Sequence, residues 1–134
     1  MSIAELQERI EVLERRLAAA TARPVNTVPL QQAIEIARCL ACQARGVSEE
    51  QFSSRCRTEE VAWARMVSMR LLWCHTGLTL REISFIHGGR VHGTALHAIR
   101  RVPDRESNDR IFRDQLARVE GDFRKLTGYE PLRA

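Results

Sequence analysis

Over the first 23 residues, apolar side chains recur at alternating spacings of three and four, the pattern of a heptad repeat. Ser2 and Glu5 form a capping-box pair at its start. Isoleucine at a and leucine at d favour a parallel two-stranded coil, and in this register Arg9 at g would face Glu14 at the following e. Residues 1–23 are therefore predicted to form a coiled-coil dimerisation helix. Because barely three heptads are marginal alone, a single amphipathic helix folded back on the domain is the alternative. The expected seam consists of Ile3, Leu6, Ile10, Leu13 and Leu17.

Residues 24–29 contain two prolines and no periodicity, and are predicted to be a linker. Beyond them the apolar period predicts helices over residues 30–45, 58–75 and 107–126, with a short helical turn from Ser48. No run alternates as a strand would, so the fold class is all-α. Residues 30–127 are expected to form one domain, and residues 128–134 a loose tail. The inward positions are predicted to be Ala33, Ile34, Ala37, Leu40, Ala41, Phe52, Val61, Ala64, Val67, Leu71, Leu72, Ile111, Phe112, Leu116, Val119 and Phe123.

Between the last two of these helices lies a pattern typical of a helix-turn-helix. Thr79 and Glu82 have capping-box spacing, and Gly88-Gly89 offers the positive φ angles of a sharp turn. A second helix is predicted over residues 91–102, ending at Pro103. Its buried stripe would be Leu96, Ile99 and Val102, and its exposed face Arg90, His92, Thr94, His97 and Arg101. Such hairpins either bind DNA or serve as plain packing units.

The charge of the chain is concentrated around this hairpin. The net charge is +4, yet residues 1–23 and residues 102–134 are each balanced, and the segment between them carries ten Arg against six Glu. Arginine binds phosphate and guanine well, so this local excess favours a nucleic-acid partner, with a solvated basic face as the alternative.

Several classes are not favoured. No run approaches the roughly 18 apolar residues of a membrane span, and no signal peptide opens the chain, so a cytoplasmic protein with reduced cysteines is expected. Cys39 and Cys42 fall inside one predicted helix and have no second converging pair, so no metal site is predicted. No acidic cluster with metal-binding spacing accompanies the histidines, which disfavours a nuclease.

The string GGRVHGTALHA at residues 88–98 resembles the signature of the C-terminal DNA-binding domain of the bacterial replication initiator, DnaA, which reads close to GGRDHSTVxHA. Upstream, LTLREIS at residues 78–84 is similar to the family's LSLPEIG, and Ala64-Arg65, Met69 and Leu71 are similar to its ARQxAMxL helix. The resemblance extends over residues 30–123. It implies a helix-turn-helix domain of the TrpR/DnaA-C-terminal type.

The resemblance also implies a set of contacts with duplex DNA. The basic loop would lie along phosphates, Arg65 would enter the minor groove, and the start of the second hairpin helix would read bases in the major groove. The implied DNA-binding residues are Arg55, Arg57, Arg65, Thr79, Arg90, Val91, His92, Gly93, Thr94, His97 and Arg101.

This chain departs from the family pattern at Val91, where the family has Asp, and at Gly93, where it has Ser or Thr. Each lost base contact costs roughly 1–3 kcal/mol of discrimination, whereas phosphate contacts, which supply much of the affinity, are spared. Altered or relaxed sequence preference is therefore expected.

No G-x-x-x-x-G-K-[ST] loop occurs in the chain, so we expect a stand-alone, nucleoid-associated DNA binder and not an enzyme, with no nucleotide or other cofactor. Its expected role is regulation of replication initiation or transcription as a homodimer. The alternative is a protein-interaction module that kept the fold but lost DNA binding.

Overall fold

The computed structural model describes residues 2–20, 27–88 and 92–133, and within these ranges every regular element is a helix. The all-α prediction is therefore confirmed. The helices are α1 (Ile3–Ala20), α2 (Leu30–Arg45), α3 (Glu49–Ser53), α4 (Glu59–His75), α5 (Leu80–Ile86), α6 (His92–Asn108) and α7 (Arg110–Thr127). None of these helices is long and apolar enough to cross a membrane.

The helix ends follow local sequence signals. Pro29 precedes α2, and Gly46 ends it in the left-handed conformation with φ of 66°. Ser48 and Gln51 form a complete capping box on α3, as Thr79 and Glu82 do on α5. Thr58 occupies the N-cap position of α4 as predicted, although its side chain makes no cap hydrogen bond.

Helix α4 lies at the centre of the domain and packs against α2, α5 and α6, while α7 covers α2 and α6. Its side chains are buried nearly all round, as expected of a helix surrounded by others. A smaller apolar cluster joins the end of α2 to α3 and the start of α4. The main core includes Leu30, Ala33, Ala37, Ala41, Val67, Met69, Leu71, Leu72, Leu78, Ile83, Ala95, Ala98, Val102, Phe112, Leu116, Val119 and Phe123.

Helix α1 folds back on the domain. This is the arrangement that the sequence analysis gave as the alternative to a coiled-coil dimer. Leu6 and Ile10 are 7% and 8% exposed against the core, and Leu13 packs beside them. The Arg9 Nε lies 3.3 Å from Glu82 Oε2. In this conformation the chain's own domain covers Leu6, Ile10 and Leu13 of the predicted seam, whereas Ile3 remains 68% exposed. The homodimer stays a prediction, and the side chain of Leu17 lies outside the described residues.

Residues 21–26, which include the first half of the predicted linker at residues 24–29, also lie outside the described residues. The rest of it belongs to the domain. The Val28 amide donates to the Thr127 carbonyl at 3.0 Å, and the Val28 carbonyl accepts from the Tyr129 hydroxyl at 3.0 Å.

The predicted end of the second hairpin helix at Pro103 is wrong, since α6 continues through Pro103 to Asn108. An internal proline ordinarily costs about 3 kcal/mol. Contacts made by residues after Pro103 offset this cost. The Arg105 guanidinium lies 4.3 Å from the Trp63 ring centroid and 4.6 Å from that of Phe112, two buried rings. The last helix then starts at Arg110, later than predicted, with Asp109 accepting from the Phe112 amide as its cap.

Two further core predictions are corrected. Ile111, expected inward, is 81% exposed, because the face of α7 that packs on the core runs through Phe112, Leu116, Val119 and Phe123. On α6 the small residues Ala95 and Ala98 are completely buried with Val102, whereas Leu96 and Ile99 are only half-buried.

The prediction of a loose C-terminal tail is also wrong for residues 129–133. Tyr129 is 2% exposed and packs its ring edge-on against Phe123. The Arg133 guanidinium donates to the Trp73 carbonyl at 2.8 Å and the Leu78 carbonyl at 2.6 Å, and stacks 3.5 Å from the Trp73 centroid. The segment therefore ties the end of α7 to the end of α4.

Candidate nucleic-acid interface

A buried histidine joins the end of α5 to α4. His87 ends α5, and its Nδ1 lies 2.8 Å from the Ile83 carbonyl. Because a carbonyl can only accept, Nδ1 carries the hydrogen and Nε2 accepts from the Ser68 hydroxyl at 2.8 Å. The ring therefore bridges α5 to α4. Gly88 follows with φ of 102°, a backbone conformation that side chains other than hydrogen rarely permit.

Several predicted contact residues cannot be placed. Gly89, Arg90 and Val91 lie outside the described residues, and of His92, Gly93 and Thr94 only the helical backbone is described. Their predicted contacts stay predictions. Farther along α6, His97 and Arg101 are exposed, as is Arg100, which the sequence analysis did not select.

The exposed side chains of α6 lie away from the side on which the helix packs against the core. Ala95, Ala98 and Val102 are fully buried at intervals of three and four, so His97 and Arg101 project from another side of the helix. Arg101 also lies 5.7 Å from the Trp63 ring centroid. A polar, basic face is thus available along α6, at the position of a recognition helix.

The basic loop between α3 and α4 presents Arg55 and Arg57, both exposed. Cys56 between them is half-buried, and the amide and hydroxyl of Thr58 together with the nearby Arg65 charge lower the pKa of its thiol. The loop and the glycine turn border one surface cavity of about 550 Å³. Among the described residues its lining contains no acidic side chain and includes Arg38, Arg55, Arg57, Ser68, His87 and Gly88.

Arg65 overturns the prediction made for it. Its residue exposure is only 6%, and its guanidinium donates to the four carbonyls of Gln51, Phe52, Ser54 and Cys56 at 2.6–3.2 Å. A side chain held in this way points into the molecule and not into a DNA groove. It instead sets the path of the loop that carries Arg55 and Arg57. Sequence analysis could not distinguish the two roles, because the acceptors are backbone atoms.

Two residues that line this cavity were not selected by sequence analysis. Arg38 belongs to α2 yet reaches the same cavity as the basic loop, with its Nε 3.5 Å from Glu49 Oε1. Ser68 could not be selected from the sequence, because a serine on a buried helix face has no distinguishing pattern. Its role is the hydrogen bond that its hydroxyl donates to His87.

Thr79 is exposed at the start of α5, where its hydroxyl oxygen accepts from the Glu82 amide at 3.2 Å. The first helix of a helix-turn-helix crosses the DNA backbone, so this position suits a phosphate contact. Among the described residues no group of three His, Cys, Asp or Glu side chains could hold a metal ion.

A buried core helix, a short capped helix, a glycine turn and a basic second helix define the helix-turn-helix class. Within that class, the family model described as the bacterial dnaA protein helix-turn-helix matches residues 35–102, half of the chain, and the chain belongs to this family.

Two curated relatives are chromosomal replication initiator proteins DnaA. The protein from Thermodesulfovibrio yellowstonii is 29% identical over 96 residues, which cover 71% of this chain and 21% of the relative. The protein from Methylacidiphilum infernorum is 37% identical over 76 residues, covering 57% of this chain and 17% of the relative. The chain thus spans about a fifth of the length of these relatives.

Proposed function

We propose that this protein binds duplex DNA by placing the start of α6 in the major groove, with the basic loop and the start of α5 on flanking phosphates. The observation that carries the proposal is the position of Arg55 and Arg57, exposed on a loop that borders the same cavity as His87 and Gly88. Phosphate contacts of this kind fix the register of a protein on the duplex and supply much of its affinity. Membership of the family supports the same proposal.

The proposed contacts divide into two sets. Arg55, Arg57, Thr79 and Arg90 would bind phosphates. Val91, His92, Gly93, Thr94, His97 and Arg101 would lie along the major groove. Since Val91 and Gly93 replace the family's Asp and Ser or Thr, base readout at these two positions would be weak. We therefore propose altered or relaxed sequence preference, and a regulatory role in replication initiation or transcription.

Salt dependence tests the proposal. The affinity for a fluorescent duplex of arbitrary sequence, measured by anisotropy over a series of salt concentrations, should fall steeply as salt increases. The protein-interaction alternative predicts no duplex binding and no such slope.

Sequence preference requires a second experiment, in which bound duplexes are selected from a random pool. A weak or novel consensus is expected. Recovery of the initiator's ordinary binding box would contradict the altered preference while leaving DNA binding intact.

A further inference from the structure

Helix α1 is held on the domain by both apolar and charged contacts. Leu6 and Ile10 are buried, and Leu13 lies against Gly77, 3.6 Å from the position of a Cβ there. Arg9 pairs with the buried Glu82 at 3.3 Å, and Glu14 Oε1 accepts from the Leu30 amide at 2.8 Å. The last contact satisfies one of the free N–H groups at the start of α2.

The same side chains of α1 could instead form a coiled coil with a second helix. Ile3 and Ile10 occupy a positions of the heptad, Leu6 and Leu13 occupy d positions, and Arg9 at g would face Glu14 at e of a parallel second helix. The apolar stripe of α1 cannot pack on the domain and on a second helix at the same time. The same holds for the contacts of Arg9 and Glu14. Docking and coiled-coil pairing of α1 are therefore mutually exclusive.

The docked arrangement is incompletely packed. Ile3 stays 68% exposed. A groove of about 320 Å³ lies between α1 and the start of α5, and another of about 660 Å³ runs along α1, α2 and α5. Among the described side chains of α1 only Leu6 and Ile10 are buried, and an element with few buried apolar contacts opens at low free-energy cost. The exposed Ile3 is at an a position, where a coiled coil would bury it.

We propose that α1 is an exchangeable dimerisation helix, which docks on its own domain in the monomer and pairs in parallel with the α1 of a second copy of this chain in the dimer. The exchange replaces the contact of Arg9 with Glu82 by a contact with Glu14 of the second copy. It also buries Ile3. The partner is thus a second copy of the same helix.

The exchange would affect DNA binding, a consequence that depends on the proposed function. Pairing would join two helix-turn-helix units. A dimer of such units gains affinity for duplexes with two suitably spaced half-sites, because the second binding event is intramolecular.

Two substitutions are expected to affect the docked and the paired states of α1 differently. Glu82→Gln removes the charge that Arg9 contacts, while glutamine can keep the capping box on α5. Ile3→Asn removes an a-position side chain that the docked state leaves exposed. The oligomeric state of the full chain, without DNA, is measured by sedimentation over a concentration series, with helicity checked by circular dichroism.

The proposal predicts opposite shifts. Glu82→Gln should lower the dimer Kd by about two- to fivefold for each of the two helices that undock, the change expected from one partly exposed ion pair per chain. Ile3→Asn should raise the dimer Kd without changing the urea midpoint of the monomer. Leu13→Asp, which removes a residue used in both states, should leave only monomer.

Other results overturn the proposal. A Glu82→Gln protein that dimerises no better than wild type, or stays monomeric throughout the series, excludes the exchange. Weaker dimerisation of Glu82→Gln would indicate instead that α1 docks on the domain of the other copy. Because these measurements contain no DNA, their failure is distinguishable from failure of the DNA-binding proposal.

Discussion

The Arg65 guanidinium, on α4, donates to the carbonyl of Ser54 in the loop before that helix at 2.6 Å. The same side chain reaches the carbonyls of Phe52 and Cys56 at 3.0 and 2.7 Å. An arginine enclosed in this way fixes the backbone of the basic loop. If the loop binds phosphate as proposed, its affinity would depend on Arg65 indirectly, through the placement of Arg55 and Arg57.

Arg65→Lys is the first test of this arrangement. Lysine keeps the charge but lacks the planar fork that reaches several carbonyls at once. Since buried carbonyls lose charge-assisted hydrogen bonds, unfolding free energy should fall by roughly 2–4 kcal/mol, as measured by urea denaturation. A DNA-groove contact would behave differently, because lysine would keep stability near that of wild type and retain much of the duplex affinity.

Arg55→Ala and Arg57→Ala provide the contrasting case. Both side chains are exposed, so the unfolding free energy should change by less than about 0.5 kcal/mol. If each binds one phosphate, each substitution should lower duplex affinity and make the plot of log affinity against log salt less steep by about 0.9. Arg118→Ala, at an exposed position on α7, is the matched control and should leave both quantities unchanged. Equal effects of all three would mean that only net charge matters.

The elements that sequence predicted well have their signals close by in the chain. Helix α2 begins and ends where the pattern placed it, because Pro29 and Gly46 mark its two ends. The capping box of Thr79 and Glu82 likewise needs only residues three apart. The apolar face of α7 from Phe112 to Phe123 follows from helical periodicity alone.

The sequence predictions were wrong where contacts with residues distant in the chain determine the structure. Helix α6 passes Pro103 because Arg105 is held between Trp63 and Phe112, from two other helices. Its buried stripe runs through Ala95 and Ala98, since small side chains allow α4 to approach closely. A hydrophobicity pattern favours larger residues such as Leu96. In the same way, nothing near Arg65 in sequence identifies backbone carbonyls as its partners.

The pH dependence of stability should reflect His75. Burial lowers the pKa of His75 below its ordinary value of 6.5, so the unfolded chain takes up a proton at a higher pH than the folded chain. The contribution to stability is therefore present above about 6.5 and is lost as pH falls from there through the folded pKa. His75→Phe should remove this part of the slope, because phenylalanine can keep the edge contact with Phe123.

The quantity to compare is the difference between wild type and His75→Phe in urea unfolding between pH 7 and pH 5. A difference is required because Glu120 acts in the opposite direction. Burial, with Glu106 nearby, raises the pKa of Glu120, so its contribution is present at low pH and is lost as pH rises through the raised value. Parallel curves for the two proteins would contradict the assignment to His75.

Arg133 should stabilise the domain although it lies at position 133 of 134 residues. It donates to the carbonyls of Trp73 and Leu78 and stacks on the Trp73 ring. Arg133→Ala should therefore lower the unfolding free energy by about 1–3 kcal/mol and shift tryptophan fluorescence, since the indole of Trp73 becomes more exposed to water. Arg133→Lys should recover only part of the loss, because an ammonium group stacks poorly and cannot reach both carbonyls in the same plane. Arg110→Ala, exposed at the start of α7, serves as the control. If Arg133→Ala unfolds at the wild-type urea concentration with unchanged fluorescence, the C-terminal segment is not part of the folded domain.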